Sequence, residues 1–253
     1  MFSSFELFAC QDQYGHGLSE GKRFYIPSYE EMRDDCVGFA NLVAGKHSSD
    51  IPLFLMGESF GGCQTLLTAK YFQDHPEEAP KNFDSSLLVC PAIVGDVPPY
   101  PVYLFLRYVL ARLFPTKTYL MPASVSPERI WSDRTVMELY NNPEHLKMGL
   151  GCAGATLQLG TAVAMLLGME DVKSSIPEFK TPFCIVHGEN DVAVPIVGSK
   201  LLFDDSATPS GEKEFHPLSE TLHGVLAEPK AEEAMKHMSD FCDSRLKAFV
   251  PPK

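Results

Sequence analysis

Apolar and polar positions change period several times along the 253 residues, and each change predicts an element. The run Ile-Pro-Leu-Phe-Leu-Met at 51–56 is short, continuous and hydrophobic, which predicts a buried strand. "CQTLLTAKYFQDH" follows with apolar residues at helical spacing. Upstream, "FELFACQ" predicts a strand over about residues 5–11 that runs into a glycine-rich loop. "PSYEEMRDDCVGFANLVAG" carries Pro27-Ser28 at its start, Glu30 and Glu31 in its first turn and Gly45 at its end, the signals of a helix over about 28–44. Met32, Cys36, Phe39 or Ala40, and Val43 share one face of it. Downstream, "SSLLVCPAI" predicts a buried strand and "PFCIVHGENDVAVP" a strand ending in an acidic loop. "KEFHPLSETLHG" predicts a last strand, and "EPKAEEAMKHMSDFCDSRLKAF" an amphipathic closing helix. Strands alternating with helices indicate an α/β class with a mostly parallel sheet covered on both faces.

Between residues 96 and 175 the pattern loses its strands. Prolines crowd "GDVPPYP", "VYLFLRYVLARLF" predicts a very apolar helix over about 102–114, and "GCAGATLQLGTAVAMLLG" a helix of small residues. This stretch reads as a helical insertion over a core built from residues 1–95 and 176–253. The apolar helix fits burial beneath other parts of the insertion, the wall of an apolar channel, or both at once.

Composition narrows the function. A net charge of −12 and a pI near 5.1 argue against nucleic acid, whose phosphates need a basic face. A mean hydropathy of −0.06 suits a soluble globular protein, and no segment approaches a membrane span. Cys10, Cys36, Cys63, Cys90, Cys152, Cys184 and Cys242 are scattered with no C-x-x-C pair, which argues against zinc and suits a reducing, cytoplasmic compartment. "MFSSFELFAC" lacks the basic start of a signal peptide.

The candidate chemistry lies at Gly57-Glu58-Ser59-Phe60-Gly61, a G-x-S-x-G pattern between the predicted strand and helix. A serine in such a turn is held in strained geometry with its hydroxyl exposed, and a Cβ at either glycine is expected to collide with the neighbouring chain. Serine at neutral pH needs a base, and the base an orienting carboxylate. Of eight histidines, His223 alone occupies a small loop between the last strand and the last helix. His187, before Gly188, reads as a packed structural residue, and His216 as part of the last strand. "HGENDVAVP" offers Glu189 and Asp191, of which Asp191 sits nearer the loop tip. The chain order Ser, Asp, His is that of α/β-hydrolases. No cofactor or metal is called for.

"DQYGHGLSEG", "YIPSYEEMRDD", "GESFGG", "NNPE", "VHGENDVAVP" and "LHGVLAEP", spread over residues 12–229, resemble the monoacylglycerol lipase and lysophospholipase branch of the α/β-hydrolases. The resemblance implies an α/β-hydrolase fold with a helical cap at 96–175. Ser59 is then the nucleophile, Asp191 the orienting acid, His223 the general base and the Phe60 backbone N–H one oxyanion donor. Asp12, Gly15, His16 and Gly17 match a structural loop at the sheet edge. The implied partner is a monoacylglycerol or lysophospholipid-like ester with one acyl chain, with peripheral contact to membrane or micelle through the cap. "GES", where many animal members carry histidine second, is similar to plant and microbial relatives, some of which cleave aromatic esters.

Counting elements against that fold, only the helix at 28–44 fits between Gly17 and Ile51. The chain is therefore expected to begin at the fourth strand, without the loop that supplies a second oxyanion donor. The rival reading is a catalytically impaired hydrolase-fold protein that binds a ligand. With the third strand missing, residues 52–56 should show an open side or a rearranged pairing with residues 5–11.

Overall fold

The computed structural model describes residues 7–95, 98–118, 126–140, 142–147 and 157–252. The helix α1, Tyr29–Ala44, begins where Ser28 Oγ accepts the Glu31 N–H at 3.0 Å, with Glu30 and Glu31 against the positive end of the helix dipole. β1 (Leu53–Glu58) leads into α2 (Phe60–Asp74), and β2 (Phe83–Val89) follows. Next come α3 (Tyr100–Phe105), a wider π-helical turn (Leu106–Leu110), α4 (Ala111–Leu113), α5 (Arg134–Tyr140), α6 (Pro143–Lys147) and α7 (Leu159–Ser175). β3 (Phe183–Gly188), α8 (Val197–Asp205), β4 (Lys213–Leu218) and α9 (Ala231–Ala248) complete the order.

The four strands are parallel, in the order β1-β2-β3-β4. The period of two along each strand divides the core. Leu88, Phe183 and Ile185 face Leu66 and Ala69 of α2, Val172 of α7 and Leu202 of α8. Leu87, Val89, Cys184, Val186 and Leu218 face Ala234, Met238, Phe241 and Cys242 of α9. The central β3 is buried along its whole length, as a parallel strand covered on both faces must be. An Arg245 guanidinium ties α9 to the foot of β2 through two bonds to Asp84, at 2.8 and 2.9 Å.

Two expectations for the start of the sheet change. The described part of the strand expected at 5–11, residues 7–11, forms no strand. Residues 53–56 of the run 51–56 open β1, but they are not buried: Leu53, Phe54 and Leu55 are half-buried and Met56 is 41% exposed. The cause is position, because among the described residues β1 pairs with β2 alone and its other side is open. The glycine-rich segment after residues 7–11 is organised by Asp12, whose carboxylate accepts the Leu18 N–H at 2.8 Å and occupies the space a Cβ on Gly17 would need.

The apolar helix expected at 102–114 runs from Tyr100 to Leu113 as α3, the π turn and α4. Burial under other elements is not its state: within it only Tyr103 is buried, while Val102, Phe105, Tyr108 and Leu113 are exposed. Tyr103 donates to Glu170 of α7 at 2.7 Å, and Arg107 completes that contact. Of the small-residue helix, residues 151–156 lie outside the described residues, and residues 159–168 form the first part of α7. No helix among the described residues is long and apolar enough to cross a membrane.

Candidate active site

The register aligns the carboxyl ends of the strands, so the loops after β1, β2, β3 and β4 share one rim, where working groups collect in open parallel sheets. Ser59 follows β1 with φ 57° and ψ −122°, a conformation costly for a residue with a Cβ. Its backbone is held on both sides: its N–H donates to Val89 O at 2.9 Å, and its carbonyl accepts from Ala92 N–H at 2.9 Å and Gly62 N–H at 3.0 Å. A Cβ on Gly57 would stand 2.1 Å from Gly61 O, so strand and helix meet there without room for a side chain. The second glycine of the pattern departs from expectation, because a Cβ on Gly61 would meet nothing within 4 Å. The close approach falls one residue later, where a Cβ on Gly62 would lie 2.8 Å from Pro91 Cα. Phe60 opens α2, so its N–H belongs to the first turn, whose donors have no partner inside the helix.

Asp191 and His223 come from loops after different strands and meet at 2.7 Å, His223 Nδ1 to Asp191 Oδ2. The two loops are joined by their backbones, with Glu189 N–H donating to Leu218 O at 2.9 Å and Asn190 N–H to Thr221 O at 3.0 Å. The Asp191 side chain is wholly buried, yet its oxygens are saturated with donors. Oδ1 accepts the Ala193 and Val194 N–H groups, each at 2.8 Å. Oδ2 accepts His223 and stands 3.2 Å from His187 Nε2. Burial alone would raise the Asp191 pKa, but the bonds from His187 and His223, the nearby His223 charge and the Val194 N–H outweigh it and hold the carboxyl well below the usual range. A permanently ionised acceptor on Nδ1 fixes the proton there and leaves Nε2 as the basic atom of His223.

His187, Glu189 and His216 stand in other surroundings. His187 is fully buried, with Nε2 3.1 Å from Val194 O and Nδ1 2.8 Å from Ser199 Oγ. A carbonyl only accepts, so Nε2 carries the proton and Nδ1 takes the Ser199 hydroxyl. His187 is thus a packed support for the Asp191 loop, as expected. Glu189 is exposed, and His216 pairs with Glu214 on β4. Glu58 ends β1 exposed at the rim; partial desolvation raises its carboxyl pKa, His223 lowers it and Asp191 raises it, which sets the end of β1 electrically beside the pair.

Some contributors carried no sequence signal of their role. Cys90, with φ 42°, lies buried beneath Asp191, and burial pushes its thiol pKa up. Cys90, His187 and Asp191 have a metal-like donor set, but the carboxylate is already taken by four donors. Trp131 and its neighbours grip the histidine loop: Gly224 N–H donates to Ile130 O at 2.9 Å, and Ser132 N–H to the buried Glu228 Oε1 at 2.6 Å. The Glu228 position was visible only as part of "LAEP". Cavities of about 240 Å³ near Tyr14 and about 310 Å³ near Phe72 are not lined by Ser59, Asp191 or His223.

Comparison with known proteins fits this geometry to a family. The sequence profile of the serine aminopeptidase S33 family matches residues 4–230. The chain is 28% identical over 238 residues to an abhydrolase domain-containing protein of Dictyostelium discoideum, covering 93% of this chain and 23% of that protein. It is 28% identical over 255 residues to caffeoylshikimate esterase of Arabidopsis thaliana, covering 98% and 72% respectively. With monoglyceride lipase of Rattus norvegicus it shares 26% over 238 residues, covering 91% and 71%. The crystal structure of Paleococcus ferrophilus monoacylglycerol lipase superimposes with a TM-score of 0.72 at 20% identity, over 91% of this chain and 80% of that one, which establishes the α/β-hydrolase fold. The chain belongs to the serine aminopeptidase S33 family of α/β-hydrolases.

Proposed function

We propose that the protein hydrolyses carboxylic esters carrying one acyl chain, of the monoacylglycerol or lysophospholipid class, with Ser59, Asp191 and His223 as its catalytic triad. The observation that carries the chemistry is the 2.7 Å bond from His223 Nδ1 to an Asp191 carboxylate held ionised in the core. His223 Nε2 removes the Ser59 hydroxyl proton as Oγ attacks the ester carbonyl. The developing oxyanion takes the Phe60 N–H, a donor already oriented before reaction. Collapse expels the alcohol, which receives the proton from His223, and leaves Ser59 acylated. Water deprotonated by the same nitrogen then attacks the acyl-enzyme, releasing the acid and restoring Ser59.

The acyl preference rests on residues 96–175 acting as a cap. Their most apolar helix displays Val102, Phe105, Tyr108 and Leu113 on its surface, side chains suited to an acyl chain or to the lipid phase that delivers it. The relative from Rattus norvegicus is named a monoglyceride lipase and the one from Arabidopsis thaliana a caffeoylshikimate esterase, so head group and acid are the properties to measure.

The test combines a fluorophosphonate probe with a panel of monoacylglycerols, lysophospholipids, aromatic esters and acetate esters. Labelling of Ser59, lost in Ser59→Ala, together with faster turnover of long-chain than of acetate esters, is expected. Absence of labelling would overturn the triad. Labelling with equal rates across the panel, or with aromatic esters preferred, would overturn the lipid assignment alone.

A further inference from the structure

A second cluster of reactive side chains lies on the α9 face of the sheet. Parallel register pairs Cys184 of β3 with Glu214 of β4, and Val186 with His216. Residues two apart on a strand share a face, so Cys184, Glu214 and His216 project together. One donor atom from each, a thiol sulfur, a carboxylate oxygen and an imidazole nitrogen, lies within 4.8 Å of the other two. His216 Nε2 is already 2.8 Å from Glu214 Oε2. Cys184 sits four residues before the carboxyl end of β3, about 13 Å of strand away from the rim that holds Asp191. None of the three is used in the proposed reaction.

We propose that Cys184 Sγ, the Glu214 carboxylate and the His216 imidazole form a binding site for one divalent cation of the zinc class. The donor set decides the class: magnesium and calcium take oxygen ligands, whereas a thiolate with an imidazole and one carboxylate selects zinc-like ions. Tetrahedral coordination at ordinary zinc bond lengths places donor atoms about 3.3–3.8 Å apart. The present spacing needs side-chain adjustments of about 1.5 Å at most to reach that, with both strands fixed by their ladder.

A dication bound by one thiolate, one carboxylate and one neutral imidazole sums to zero net charge at the edge of the core. His237 of α9 stacks on the His216 ring with centroids 3.9 Å apart and planes at 14°. The parallel rings do not aim their nitrogens at one point, so His237 covers His216 and does not complete the tetrahedron. The Glu214 side chain is 41% exposed, so water reaches the fourth position.

The experiment uses the chelator-treated full chain, titrated with Zn²⁺ by calorimetry and with Co²⁺ by absorption spectroscopy. The expected result is about one equivalent bound, with a thiolate-to-cobalt charge-transfer band. Cys184→Ala should abolish the band. Glu214→Gln and His216→Ala, at partly exposed positions that fold readily, should each weaken binding by about tenfold or more. Lack of the band overturns the proposal, as does binding of undiminished strength in both Glu214→Gln and His216→Ala, which would place the ion elsewhere. If Cys184→Ala fails to fold, these two variants decide the matter.

Discussion

The Trp131 indole occupies the space directly over Gly224, the residue after His223: a Cβ on Gly224 would stand 2.1 Å from Trp131 Nε1. Two hydrogen bonds flank that contact, Gly224 N–H to Ile130 O at 2.9 Å and Ser132 N–H to Glu228 Oε1 at 2.6 Å. The segment between β2 and β3 therefore presses on the loop that carries the proposed base. Gly224→Ala should displace His223 or Trp131 and lower kcat/KM by about 10²-fold, the effect of misplacing a catalytic group by about 1 Å. Trp131→Ala should give a smaller loss in the same sense. Steady-state kinetics with circular dichroism as the folding control checks both, and unchanged kinetics in Gly224→Ala would show that the contact does not position the base.

Asp191→Asn replaces a charged acceptor that takes four donors. Its kcat should fall by about 10³–10⁴, because the Asn amide turns the imidazole to the wrong tautomer. A pH signature accompanies the loss. The Asp191 pKa is lowered in the folded state, so its stabilisation is complete above the unfolded value of about 3.9 and disappears as pH falls through the lower folded value. Urea unfolding should show wild type more stable than Asp191→Asn at neutral pH, with the gap closing below about pH 4.

The three glycines around Ser59 separate into two kinds. Gly57→Ala puts a methyl group 2.1 Å from a backbone oxygen and Gly62→Ala one 2.8 Å from Pro91 Cα, and neither obstacle is a flexible side chain. Each should cost about 1–3 kcal/mol as overpacking. Gly61→Ala adds its methyl group to open space inside α2, where alanine is favoured by about 0.5–1 kcal/mol. Thermal melts of the three variants check the order, which inverts the usual emphasis on the last glycine of the pattern.

Arg245 and Asp84 form a two-bond pair whose carboxylate side chain is only 6% exposed. Arg245→Ala leaves that buried charge without its main partner and should destabilise the fold by about 3 kcal/mol. The double variant Arg245→Met, Asp84→Leu should recover much of the loss, which chemical unfolding of the single and double variants measures.

Much of the frame was legible in the chain because it depends on neighbours in sequence. Ser28 with Glu30 and Glu31 starts a helix wherever the segment lies, and a glycine-flanked serine between an apolar run and a helical period makes a sharp turn by its own sterics. The runs ending near Val89 and Gly188 read as strands because continuous apolar segments of that length must be covered on both sides. Other properties depend on which remote segments meet. The run 51–56 looked buried by composition, but burial is set by the number of neighbours, and β1 has one described partner. Residues 7–11 have a strand-like composition, yet a strand exists only when another backbone pairs with it. Gly62 matters because Pro91 passes beside it, and Gly224 because Trp131 does. The four donors on Asp191, and the meeting of Cys184 with Glu214 and His216, follow from strand register and loop docking. Tertiary structure alone decided these contacts, since no periodicity along the chain encodes the distance between residues 30 positions apart.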